Sequence, residues 1–359
     1  MQRSHELSGW QLAALVATAL SLASAVGGLN VDHADFRTFY DSAVALRDGH
    51  SAVTPGGMQP NLNPPTFSLA LRPLASLPYQ AAFWAWTLLG LIACAASAFI
   101  IQRTIAVSGR AWFWVAIVAC GTMPWLFGFV LGQVTFVLLY LVTMAWASKS
   151  PVVSGVWLGI AIALKPPLAL MALCLPLAVC VSSGIVASLT TAVAIAITGW
   201  QPWADWLALS GQVRWMHLPT NLSIFGFAAR LQSTTTWAPT LADIALGWKL
   251  LAGVLAVALW WHATRTDGHR RWVFALMASL FLSPTGWFYY LPLGVGAFIA
   301  SWPKSRLATA AVLVFAIPTP ILALFADSHA GLVVIGLVYP IGALLLWLAF
   351  VRDKKLTPA

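Results

Sequence analysis

Residues 81–102 read AAFWAWTLLGLIACAASAFIIQ, without a single charged side chain. At about 1.5 Å per residue a helix of this length reaches roughly 33 Å, enough to cross a hydrocarbon core of about 30 Å. Comparable apolar runs recur near residues 9–28, 112–129, 132–148, 152–165, 167–182, 184–199, 241–262, 272–284, 287–302, 306–326 and 330–351. Across all 359 residues, 60% are hydrophobic and 8% charged, against about 25% charged in soluble domains. The chain therefore reads as an all-α integral membrane protein. Residues 1–359 are expected to form a single polytopic domain, a bundle of about 10–12 transmembrane helices.

The net charge is +9. In a soluble protein this would suggest a nucleic-acid partner, but no basic stripe interleaved with aromatics accompanies it, so none is expected. A multi-pass chain explains the charge differently, because cytoplasmic loops collect Lys and Arg. With the N-terminus inside, twelve of the 19 Lys and Arg fall on the cytoplasmic side, although the outer loops are longer. Most acids fall outside: Asp32, Asp35, Asp41, Asp48, Asp205, Asp243 and Asp327. Acids orient membrane proteins only weakly, so this asymmetry points to a polar working site on the outer face. Cys94, Cys120, Cys174 and Cys180 lie within apolar runs and read as small core residues. No His or Cys spacing suggests a metal site. The run after Arg3 is long and lacks a convincing cleavage motif, so it is kept as the first span.

Two long segments face outward, residues 29–80 and 200–240. In the first, Phe36, Phe39, Tyr40, Ala43 and Val44 fall at helical spacing, with Arg37, Asp41, Arg47 and Asp48 on other faces. That pattern predicts an amphipathic helix lying in the outer interface, closed by Gly49. Asp35 opens it. An acid there complements the helix dipole, and Asp32 suits an N-cap, so neither is functional by position alone. Asn63-Pro64-Pro65 predicts an ordered, extended segment.

Taken in order, these pieces resemble the family 87 glycosyltransferases, a branch of the GT-C class. The first outer loop carries Asp35-Phe36, Phe39-Tyr40, Ala43, Ala45-Leu46 and Gly49, then Pro64-Pro65, Pro73-Leu74 and Leu77-Pro78. Gly132-Gln133-Val134 opens a later span, and Gly155, Gly159 and Ala161 lead to Lys165-Pro166. Asn221-Leu222-Ser223 with Arg230, and Ser283-Pro284 with Trp287 and Tyr290, complete the series. No single motif is specific; the ordered set is. One departure stands out: the family often has His just before the final Tyr, where this chain has Tyr289.

The resemblance implies a GT-C-like bundle with the interfacial helix in the first outer loop. It also implies an inverting transferase that takes a hexose, mannose as the first expectation, from a polyprenyl-phosphate sugar. The acceptor hydroxyl would belong to a glycolipid or glycan. Such chemistry needs one base, because phosphate leaves as a stable anion. Asp35 occupies the family's acid position and is the expected general base, with Asp32 as alternate. Lys165, Arg230 and Arg214 are candidate donor-phosphate ligands; a snorkelling Lys and ordinary interfacial Arg are the competing readings. Gln133, Asn221, Tyr289 and Tyr290 are candidate substrate contacts, and packing or capping explains Gln133 and Asn221 equally well. Trp203 and Trp206 read as interface packing before sugar stacking. No cofactor and no metal are expected, and the partners are membrane lipid, the lipid-linked sugar and the acceptor. The expected location is a bacterial inner membrane, with the active site outward and both termini cytoplasmic. A lipid-linked sugar transporter or flippase, or a glycan ligase, are the alternatives. The first would place its site between internal repeats, and none is evident. The second calls for more cations than these loops hold.

Overall fold

A computed structural model describes residues 34–53, 60–105, 122–213, 215–234, 237–303, 305–325 and 328–352. The expected span at 9–28, the first part of that at 112–129, and Asp32 and Arg214 lie outside these residues. The described chain is helical, with one isolated antiparallel bridge between Asn221 and Trp287. Helix α1 (Ala34–Arg47) leads to α2 (Pro65–Leu71), the long α3 (Tyr79–Ile105), α4 (Met123–Val130), α5 (Thr135–Ala147) and α6 (Pro151–Leu164). The short α7 (Ala169–Ala172) precedes α8 (Leu177–Thr198), α9 (Gln201–Ser210) and α10 (Ile224–Gln232). The C-terminal part contains α11 (Leu246–Thr264), α12 (Gly268–Leu282), α13 (Val295–Ala300), α14 (Arg306–Phe315), α15 (Thr319–Ala323), α16 (His329–Ile335) and α17 (Val338–Arg352).

Four helical segments among the described residues are long and apolar enough to cross a membrane: α3, α8, α11 and the stretch His329–Arg352. Helices α5, α6 and α14 are apolar but shorter, as is the segment Phe288–Ala300. Large apolar side chains on α8 point outward, among them Leu177, Val181, Ile185, Leu189 and Val193. In water such a face would be unstable; against lipid tails it is the expected one.

The boundary expected between spans 167–182 and 184–199 falls elsewhere. Helix α8 starts after Pro176 and runs unbroken through Ser182-Ser183-Gly184. Those serines do not break it because their hydroxyls bond back within the helix, Ser182 Oγ to Ala178 O and Ser183 Oγ to Cys180 O. A broken segment built from residues 166–175 precedes it. Ser279 Oγ donates to Pro167 O and Arg271 Nε to Cys174 O, so this segment runs antiparallel to α12.

Helices α6 and α8 run parallel in direct backbone contact. A Cβ on Gly155 would lie 1.7 Å from Ser182 Oγ and 2.7 Å from Val179 O; one on Gly159 would lie 2.7 Å from Ser183 O and Val186 Cβ. Small residues four apart permit this approach, which supplies the packing and dispersion that hold helices together in lipid. Lys165 follows directly after the end of α6.

The interfacial helix forms as its pattern predicts. Phe36, Phe39 and Ala43 are buried, while Tyr40 and Val44 are half-buried. Gly49, at φ 78°, takes the left-handed conformation that ends the helix, and His50 N donates back to Ala45 O. Phe36 sits among Tyr79, Phe83 and Trp86, with ring centroids 5.5–6.2 Å away. Ser51 Oγ donates to Asp205 Oδ2 and Trp206 Nε1 to Leu62 O, so the two long connecting segments meet.

Replacing Gly155 by Val should separate α6 from α8 and cost about 1–3 kcal/mol, read as a lowered thermal midpoint in detergent. Gly184→Ala, where nothing lies within 4 Å of the added carbon, should be neutral or slightly stabilising. Equal midpoints for Gly155→Val and wild type would contradict the packing described.

Candidate active site

A cavity of about 240 Å³ opens where the segments within 29–80 and 200–240 meet the helix bundle. Its walls include Asp35, Thr38 and Phe39 from α1, Asn61 and Asn63 from the segment before α2, and Gln133 before α5. Lys165 at the end of α6, Trp215, Thr220, Trp287 and Tyr289 close it.

Asp35 stands on the first turn of α1, and Phe36 N donates to Leu131 O at 3.0 Å, docking that turn on the loop after α4. Gln133 Nε2 donates to Asp35 Oδ2 and also to Tyr289 Oη at 3.3 Å. Burial pushes the Asp35 carboxyl up to about 6, against the opposing pull of the Gln133 hydrogen bond and the Lys165 charge. The other described acids of these loops are engaged elsewhere. Asp41 pairs with Arg37 and Asp48 with Arg47. Asp205 accepts from Ser51 and Gln201, and Asp243 from Thr240.

Lys165 is 7% exposed. The following proline disfavours helix at Lys165, which adopts φ −143°, ψ 86° and ends α6. Its Nζ donates to Asn63 Oδ1 at 2.8 Å and lies 5.3 Å from the centroid of the Tyr290 ring. Amide and ring both suit an ammonium group, the ring through its negative face. Asn63 is held in turn, because Asn61 Oδ1 accepts from Asn63 N at 2.9 Å and Pro64-Pro65 start α2. Sequence reasoning saw only an ordered loop at Asn63. Nothing local in the spacing of Thr38, Thr220 and Trp215 marks them as site residues, whereas Trp287 belongs to the Ser283-Pro284 motif without a role assigned to it there.

The structure thus brings Asp35, Lys165, Gln133 and Tyr289 to one cavity, with the Tyr290 ring beneath the Lys165 ammonium. Arg230 and Asn221 are placed differently. Arg230 is fully buried behind the loop, and its Nη1 donates to Leu218 O and Asn221 O. Burial lowers its guanidinium to about 10. It does not line the cavity, and Gly336, after α16, leaves room for its stem. Asn221 is spent on structure as well: Nδ2 donates to Pro284 O and Oδ1 accepts from Ser223 N. With Leu222 N to Gly286 O and Phe288 N to Thr220 O, it stitches the 200–240 segment onto the Ser283–Pro284 break. Both residues hold cavity-lining Leu218 and Thr220 in place rather than facing the cavity. Trp203 and Trp206 do not line it either; Trp203 is buried and Trp206 holds Leu62.

No curated protein matches the chain. Among solved structures it is similar to ArnT from Cupriavidus metallidurans in the apo state, at 16% identity over 94% of this chain and 75% of that one, with a TM-score of 0.38. It is likewise similar to the same protein bound to undecaprenyl phosphate, at 16% identity over 96% and 76%, with a TM-score of 0.36. The profile described as glycosyltransferase family 87 matches residues 61–285. That match spans more than half of the chain, from the Asn61 turn to the Ser283–Pro284 break, and this multi-pass membrane protein belongs to glycosyltransferase family 87.

Proposed function

We propose that the protein transfers a hexose, mannose as the first candidate, from a polyprenyl-phosphate donor to a hydroxyl of a glycolipid or glycan. The reaction inverts the anomeric centre and occurs at the outer face of a bacterial inner membrane, with both termini cytoplasmic. The observation that carries this reading is one cavity lined by a single described carboxylate, Asp35, and a single described ammonium, Lys165, on different elements.

The step balances with these two groups. The acceptor oxygen attacks the anomeric carbon, and the bond from that carbon to the phosphate oxygen breaks. Asp35 takes the acceptor proton. The donor's singly charged phosphodiester leaves as a phosphate monoester carrying one more negative charge, which Lys165 stabilises. No general acid is needed for such a leaving group, unlike glycoside hydrolysis with its paired carboxyls. Burial makes Asp35 a stronger base than an ordinary carboxylate, yet one still ionised at neutral pH. The aromatic walls, Trp215, Trp287 and Tyr289, exclude water and offer ring faces to a sugar.

With labelled polyprenyl-phosphate mannose and membrane lipids as acceptor, Asp35→Asn should lose transfer by about 100-fold or more. Retained transfer would remove Asp35 as the base. In the wild type, kcat should fall as pH drops through about 6, as the base takes up a proton, and level off above it. The fold should survive that acidification: a carboxyl raised by burial binds its proton more tightly folded than unfolded, so its protonation adds stability between its folded and ordinary values. A rate flat from pH 5 to 8 would contradict this assignment.

Asn63→Leu leaves the buried Lys165 ammonium without its acceptor and should cost about 1–3 kcal/mol, seen as a lower thermal midpoint. Adding Lys165→Met should recover part of that loss, because both polar partners are then gone. It should also weaken binding of polyprenyl phosphate. Unchanged lipid binding by Lys165→Met would contradict its role at the phosphate.

A further inference from the structure

We infer that Gln133 is a positioning residue for the base: its side-chain amide clamps one oxygen of the Asp35 carboxylate and leaves the other for the acceptor hydroxyl. The inference rests on the reading of Asp35 as the base.

A primary amide has two N–H donors. At Gln133 both are used, one on Asp35 Oδ2 and one on Tyr289 Oη. None remains for a sugar hydroxyl. Turning the amide over would set its oxygen against a carboxylate oxygen, two acceptors facing each other, so the ionised base selects the orientation seen. The amide keeps that orientation even though its Oε1 is buried without a partner. Among the described residues, Asp35 Oδ2 has this one side-chain donor, while no hydrogen bond occupies Oδ1. Asp35 lines the cavity, and Oδ1 is the oxygen left for the acceptor.

The clamp is fixed from the backbone as well. Gln133 N donates to Gly128 O and Gly132 N to Phe129 O, forming a tight turn. Gly132 takes φ 65°, and a Cβ there would lie 2.6 Å from Phe36 Cβ. Trp86 Nε1 donates to Gly132 O, and Phe36 N to Leu131 O. The residue before Gln133 thus packs on the residue after Asp35, so the two side chains cannot drift apart without breaking this turn. Gln133 is 7% exposed.

The charged and titratable groups facing Asp35 are Lys165, Tyr289 and Tyr290. On its own helix, Arg37 is turned to Asp41 and the Tyr79 ring. Removing the Gln133 donor leaves these groups in place and takes away a hydrogen bond that favours the ionised carboxylate. Tyr289 is the residue that departs from the family's His, and here its hydroxyl anchors the far side of the clamp.

The test uses Gln133→Leu and Gln133→Glu in the full chain, beside Asp35→Asn. With labelled polyprenyl-phosphate mannose, Gln133→Leu should lower kcat by about 10- to 100-fold, with donor KM nearly unchanged. Its pH–kcat inflexion should move upward. A raised KM with the wild-type inflexion would overturn the inference and make Gln133 a substrate contact. A second readout needs no turnover: the carboxyl infrared band present in wild type and absent in Asp35→Asn, titrated in purified protein. Its midpoint should rise in Gln133→Leu and further in Gln133→Glu, where an acceptor replaces the donor. Equal midpoints in all three would overturn the inference even if a variant were too weakened to turn over. Transfer retained by Asp35→Asn sinks the base reading itself. Transfer retained by Gln133→Leu beside an inactive Asp35→Asn sinks the clamp alone.

Discussion

The hydrogen bond from Phe36 N to Leu131 O joins an interfacial helix to the bundle, and the geometry of the cavity depends on it. A helix at a membrane surface is free to slide and roll on its apolar face. This one is pinned at its first turn by a backbone bond, by the glycine contact at Gly132 and by the aromatic cluster around Phe36. Its first acid is thereby held at a fixed depth. A carboxylate placed less firmly at the interface would stay hydrated, with an ordinary acidity and no fixed aim.

The remaining walls are set by the same means, polar groups consumed to fix backbone. Asn61 shapes the turn that presents Asn63, and Asn63 holds Lys165. Asn221 ties the 200–240 segment to the 283–290 segment, and Arg230 holds the carbonyls of Leu218 and Asn221 from behind. Close contact of α6 with α8, allowed by Gly155 and Gly159, packs the helix that ends at Lys165. An ammonium at such depth is costly unless it is satisfied, and here an amide oxygen and a ring face satisfy it in place of a carboxylate. On the proposed reading, this leaves it open to a phosphate.

The fold was legible in the chain because lipid imposes a simple rule: uncharged apolar runs become helices. The run at 81–102 lies within α3, and the stripe from Phe36 to Val44 became the buried side of α1. Boundaries at Ser182-Ser183-Gly184 were misread because those hydroxyls bond within the helix instead of ending it. Asp35 stands out only through the family resemblance, since an acid opening a helix also serves the dipole, and Lys165 stands out as a cation beside a double proline. Their pairings are not legible: Gln133 reads as a substrate contact, not as a partner of Asp35, and it meets Asp35 across 98 residues as Asn63 meets Lys165 across 102, with no local signal. Arg230 shows the opposite failure: a loop arginine near a membrane suggests phosphate, but Gly336, far along the chain, makes a buried slot that takes it inward.

The most direct measurement is an experimental structure of the protein with polyprenyl phosphate bound. The account predicts the phosphate within hydrogen-bond distance of Lys165 Nζ, with the sugar space bounded by Asp35 and the Trp215, Trp287 and Tyr289 rings. A phosphate held outside this cavity, with Lys165 still bound to Asn63 and Asp35 facing lipid, would contradict it.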